Sequence, residues 1–122
     1  MALTILIALA GAMGAGGIML AAAGAHVAPG AGLDSAANML LFHAVAVIAG
    51  AALTQQGVLW RPLALAVLAA WVLGATLFSG DIALRAFTAH RLFPFAAPSG
   101  GFVLIAAWLG LAIAAVAAVP RG

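Results

Sequence analysis

Four apolar runs, at residues 2–25, 36–53, 62–80 and 100–119, take up nearly the whole of this chain and leave little between them but turns. Each residue of a helix advances about 1.5 Å, so about 20 apolar residues cross a hydrocarbon layer about 30 Å thick. Strands of a membrane barrel would be about 10 residues long and would alternate apolar with polar. The runs are too long and too uniformly apolar for that pattern. The expected fold is all-α: an integral membrane bundle of four transmembrane helices, up-down-up-down, in a single domain over residues 1–122. The third run is expected to continue toward residue 88 along the interface.

Charge decides the solvent. Only 5% of the 122 residues are charged and 68% are hydrophobic, which is too little polar surface to coat a water-soluble globule. The positive charges are Arg61, Arg85, Arg91 and Arg121, and the acids are Asp34 and Asp81. Four scattered arginines make no phosphate-tracking stripe, so nucleic acid is excluded as a partner. Cysteine is absent, and with it disulfides, thiolate metal sites, iron–sulfur clusters and thiol catalysis. The first run has no Lys or Arg before it and is longer than the apolar stretch of a secretory signal, so it is read as a span. Arginines do not orient the bundle: Arg61 and Arg121 fall on one side and Arg85 and Arg91 on the other, a tie under the positive-inside rule.

Turn chemistry separates the runs. Pro29, Gly30 and Gly32 break the first helix, and Asp34 or Ser35 is expected to cap the second. Thr54 to Gly57 end the second run, and Pro62 suits the first turn of the third. Residues 82–98 mix Arg85, His90 and Arg91 with Phe87, Phe93 and Phe95, the composition of an elbow at headgroup depth. Pro98 to Gly101 are expected to restart the chain as the fourth helix. Ala8, Ala12 and Gly16 recur every four residues, as do Gly17 and Ala21, and small residues in this register let helix backbones approach closely in lipid. Gly16, Gly17, Gly24, Gly50, Gly74, Gly80 and Gly101 are the expected packing positions. Packing within one subunit and contact between copies both fit.

Antiparallel threading gathers the polar residues. His26, Asp34, Asn38, His43, Ser79, Asp81, Arg85, His90, Arg91 and Ser99 all fall toward one end of the bundle. His43 lies deepest, about 12 Å inside the second helix counted from its expected cap, and polar groups at that depth face the bundle interior. Asp81 is the expected partner of His43, and Arg85, four residues on, competes for the same carboxylate. The candidate polar site is His26, His43, Ser79, Asp81 and Arg85. It admits two readings: a pair that fixes the helices, or a proton-handling or ligand-binding site. Haem ligation has little support, because only His43 is clearly intramembrane and a second ligand would have to come from a helix end. A divalent metal on His26, His43 and Asp81 has as little, since no two of them share i, i+3 or i, i+4 spacing on one helix. No nucleophile motif, phosphate loop or paired catalytic carboxylates occur, so no enzyme activity and no cofactor are expected. Trp60, Trp71 and Trp108 read as interface anchors or packing groups, and Met13, Met19 and Met39 as gap-fillers.

Gly24-Ala25-His26, Phe42-His43-Ala44-Val45-Ala46-Val47, Leu77-Phe78-Ser79-Gly80 and Pro98-Ser99-Gly100-Gly101 with Trp108 resemble, in that order, the small membrane proteins of the domain of unknown function 423 family. That family includes YgdD-like proteins and transmembrane protein 256. The resemblance implies a four-span protein, multi-pass in a bacterial inner membrane, with emphasis on Gly24, His26, His43, Ser79, Gly80 and Gly101. It carries no activity across. The expected function is a non-enzymatic accessory or assembly subunit, its partners being the lipid bilayer and a larger membrane complex or a homo-oligomer. The alternative is a small transporter or a lipid- or quinone-binding protein using the polar end around His43 and Asp81.

Overall fold

The computed structural model describes residues 1–120, and Arg121 lies outside them. Among the described residues it forms four helices: α1 (Ala2–His26), α2 (Leu33–Gln55), α3 (Arg61–Thr88) and α4 (Ala96–Ala117). All four are long and apolar enough to cross a membrane. The chain is a multi-pass integral membrane bundle.

The helices are not packed equally. The pair α2 and α3 forms the centre, α1 lies against both, α4 lies along α3, and α1 and α4 do not meet. Burial follows this order: 44% and 39% of the apolar windows of α2 and α3 are buried within the chain, against 17% and 22% for α1 and α4. The core is correspondingly built on Leu40, Val47, Leu68, Trp71 and Ala75, with Leu6 and Met13 added from α1 and Leu104 from α4.

Glycines set the closest approaches. A side chain at Gly100 would stand 2.7 Å from the carbonyl oxygen of Gly74 and 2.8 Å from the backbone nitrogen of Phe78, so α3 and α4 touch backbone to backbone. Gly74 meets the Gly100 carbonyl in return, at 3.0 Å. Gly16 and Gly17 receive Leu40 and Leu41 of α2, Gly24 receives Leu33 and Asp34, and Gly50 receives Leu68 of α3. Gly80 and Gly101 do not pack: a side chain at either would meet nothing within 4 Å. The expectation for these two is corrected by rotation, because one residue along a helix turns the backbone by about 100°. Gly100 holds the contact that Gly101 was expected to make. On α1, Ala8 and Ala12 remain exposed although they share the register of Gly16.

Two helix starts also differ from expectation. The second helix begins at Leu33 rather than after Asp34 or Ser35, because Gly32, with φ of 81°, already makes the turn, and no side chain caps it. Asp34 instead sits in the first turn, where a carboxylate favours the positive end of the helix dipole. The fourth begins at Ala96, so Pro98 lies inside its first turn, where a missing N–H costs no helical hydrogen bond. The far end is closed by Trp60, whose N–H donates to the Ala114 carbonyl at 2.9 Å above a small cluster of Leu59, Ala64 and Ala114.

The third helix runs through to Thr88 and stops at Ala89, which adopts φ of 61° while its N–H donates to Arg85 O. A left-handed residue with a Cβ costs about 1 kcal/mol, and glycine removes that cost. Ala89→Gly is therefore expected to raise stability by about 0.5–1 kcal/mol, as read from unfolding in mixed detergent micelles. A destabilised variant would show that another interaction ends the helix.

Candidate functional site

His43 is buried on α2, ten positions after the helix begins at Leu33. Its Nδ1 lies 2.7 Å from Met39 O, one turn back, and its Nε2 lies 3.0 Å from Trp108 Nε1 on α4. A carbonyl only accepts and an indole N–H only donates. The ring therefore carries its hydrogen on Nδ1 and accepts at Nε2, and both nitrogens are occupied. Trp71 of α3 completes the cluster, its ring centroid 4.5 Å from that of Trp108 and 6.4 Å from that of His43. Three helices thus converge on one imidazole. The Trp71 Nε1 is buried and has no hydrogen-bond partner among the described residues.

The expected pairing of His43 with Asp81 does not form. Asp81 is buried ten residues, nearly three turns, beyond Trp71, the α3 residue that faces His43, and its partners are local. Oδ1 accepts from the Leu92 N–H at 3.0 Å, and Oδ2 lies 3.5 Å from Arg85 Nε. The carboxylate therefore ties the elbow at 89–95 back onto α3. Ser79 donates across the bundle to Ala36 O at 2.8 Å, a bond between α3 and α2 of the kind worth about 0.6 kcal/mol in a membrane interior. Thr54 returns its hydroxyl to Gly50 O in its own helix.

His26 is exposed at the last turn of α1, where a cationic or dipolar ring suits the negative helix end, and it contacts neither His43 nor Asp81. The five candidate residues consequently separate into a buried cluster at His43, a cross-helix bond at Ser79, a clasp at Asp81 with Arg85, and a lone surface histidine. No three His, Asp or Glu side chains converge among the described residues. Trp108 was missed as a partner. The signal was depth: His43 is ten residues into α2 and Trp108 twelve into α4, about 15 and 18 Å from helix starts on the same side.

Residues 10–101, about three quarters of the chain, match the family described as "Protein of unknown function (DUF423)". The chain belongs to the DUF423 family. The matched stretch contains His43, Trp71, Ser79, Asp81, Gly74 and Gly100 and ends before Trp108, so the donor that closes the His43 cluster stands outside it. No curated protein and no solved structure matches this DUF423 chain significantly.

The clasp makes a local forecast. Asp81→Ala removes the acceptor for Leu92 N–H and frees the elbow, while Arg85, whose side chain is more than a third exposed, turns to water and is not stranded. Amide exchange at Leu92 is expected to rise at least tenfold, the loss of about 1.4 kcal/mol of local protection, with α1 and α2 unchanged. Exchange rising uniformly through all four helices would contradict a local role.

Proposed function

We propose that this DUF423 chain is a non-enzymatic accessory or assembly subunit of a larger membrane complex in the bacterial inner membrane. The observation that carries the reading is the division of labour within the bundle. The buried hydrogen-bonding side chains His43, Ser79, Thr54 and Asp81 all bond within the chain, while α1 and α4 keep most of their apolar surface open. A catalytic or proton-conducting group needs a free atom facing substrate or water. An assembly subunit needs outward faces. On α1, Gly11 and Gly14 have nothing within 4 Å, and such positions let a neighbouring helix approach closely.

A photo-crosslinking residue at Gly11 and another at Phe102, on the open face of α4, test this in native membranes. A single protein adduct of defined mass from one face or both is the expected result, and its mass tells a copy of the chain from a different subunit. Lipid adducts alone from both faces would refute the reading.

A second reading, a lipid- or quinone-binding protein, is favoured by a groove of about 310 Å³ between α1 and α3, lined by Leu9, Met13, Leu20, Val72, Thr76 and Ser79. The groove is apolar and wide enough for a hydrocarbon tail. It does not reach His43 or Asp81, so on this reading the tail and not a polar head would be recognised. Solvent extraction of the purified protein followed by mass spectrometry separates the readings: one quinone or one lipid species in near-equimolar yield supports the second, and the absence of both removes it.

A further inference from the structure

We propose that Arg85 and Arg91, with the first turn of α4, hold the phosphate of an anionic phospholipid at the membrane interface. This inference is independent of the accessory-subunit reading.

Depth places the two arginines among headgroups. The 28 residues of α3 rise about 42 Å, against a hydrocarbon layer of about 30 Å. Trp60 and Arg61 are exposed at its beginning, a pairing that anchors a helix end at an interface. The surplus length therefore falls at the other end, beyond about Gly80. Phe87, Phe93 and Phe95 are exposed there, which fits a segment resting on the acyl boundary rather than standing in water.

Charge at that depth is unbalanced. Asp81, Arg85, Arg91, Pro94, Ala97 and Pro98 border one recess of about 350 Å³. Two guanidinium groups face one carboxylate, which leaves a net charge of +1 in the recess. That carboxylate is already engaged on both oxygens, by the Leu92 N–H and by Arg85 Nε. Arg85 approaches Asp81 through Nε at ion-pair distance, and none of its guanidinium nitrogens makes a hydrogen bond among the described residues. Arg91 is exposed and gives Nη1 to Pro94 O at 3.3 Å, a long bond to a neutral acceptor that a phosphate oxygen readily replaces.

Backbone donors add to the arginines. The Ala96 and Ser99 N–H groups bond to Phe93 O and Phe95 O, Pro98 has no N–H, and the Ala97 N–H has no partner among the described residues. Ala97 and Pro98 border the recess, so the positive end of the α4 dipole opens onto it. The arginines supply two forks and the helix one N–H, a donor set suited to phosphate oxygens. A free phosphate presents the same oxygens, but the recess sits where a lipid supplies them at high local concentration with its tails in the adjoining hydrocarbon.

The test measures lipid retention by native mass spectrometry of the full chain released from nanodiscs with equal phosphatidylglycerol and phosphatidylcholine of identical acyl chains. Wild type is expected to retain phosphatidylglycerol several-fold over phosphatidylcholine. Arg91→Gln is expected to reduce that preference by roughly fivefold, the effect of one interfacial arginine, and Arg85→Gln with Arg91→Gln to bring it to parity. Arg61→Gln, at the opposite end, is expected to leave it unchanged. Arg85→Gln alters the clasp at Asp81, whereas Arg91 is exposed and its single variant reports on binding without that complication. Equal retention of both lipids by wild type, or an undiminished preference in Arg91→Gln, would overturn the proposal. Displacement of phosphatidylglycerol by equimolar inorganic phosphate would overturn the assignment to a lipid.

Discussion

Gly100→Val is expected to destabilise the bundle by about 3 kcal/mol and to separate α4 from α3. The cost arises because the nearest atoms to an added side chain are the Gly74 carbonyl oxygen and the Phe78 amide nitrogen. A flexible side chain can rotate away from such an intrusion, but a helix backbone cannot. Two helices must therefore move apart, and overpacking of this kind costs about 1–3 kcal/mol or more. Attraction in lipid depends on close van der Waals contact, so the separation also removes what holds α4. Gly101→Val is the control, since its position faces open space, and it is expected to stay within about 0.5 kcal/mol of wild type. Reversible unfolding in mixed detergent micelles reads both. Equal losses from the two variants would mean that α4 is not seated by the Gly74–Gly100 contact.

His43→Ala is expected to cost about 3 kcal/mol in the same measurement. Two effects add. Truncation leaves a cavity beneath Trp71 and Trp108, and large-to-small changes at buried sites cost about 2–5 kcal/mol. It also removes the acceptor for the Trp108 N–H and the donor to Met39 O, groups that find no water in the hydrocarbon region. His43→Gln, which keeps a donor and an acceptor, is expected to recover part of the loss. His26→Ala, at an exposed site, is expected to change stability by less than about 0.5 kcal/mol. A His43→Ala variant with wild-type stability would remove the structural role argued for the imidazole.

The four spans were legible because length and hydropathy alone decide what a membrane helix must be. The depth of His43 was legible for the same reason, since counting residues from a helix start gives depth. Its partner was not. A helix that is apolar around its whole circumference gives no sign of which face turns inward, so Asp81 was chosen by chemistry although Trp108 lay nearer the same depth. The same ambiguity separates Gly100, which seats α4, from Gly101, which seats nothing. Gly50 and Gly74 were legible because a glycine in the middle of a span has few reasons to be there other than close packing.

Helix starts failed for a different reason. Asp34 and Pro98 are strong local signals, but each is tolerated one to three positions inside a helix, so a signal read as a boundary marked the first turn instead. The clasp at Asp81 depends on the Leu92 N–H, a backbone donor in an irregular elbow. No side-chain pattern announces such a donor.

The central claim is that His43, the deepest ionisable side chain, is held at both ring nitrogens by the fold. Nitrogen-15 NMR of histidine-labelled protein in bilayers near neutral pH tests it most directly. A hydrogen on Nδ1 and a bare Nε2 coupled to the indole N–H of Trp108 is the expected result, and a hydrogen on Nε2 would contradict it, because the bond from Trp108 could not then exist.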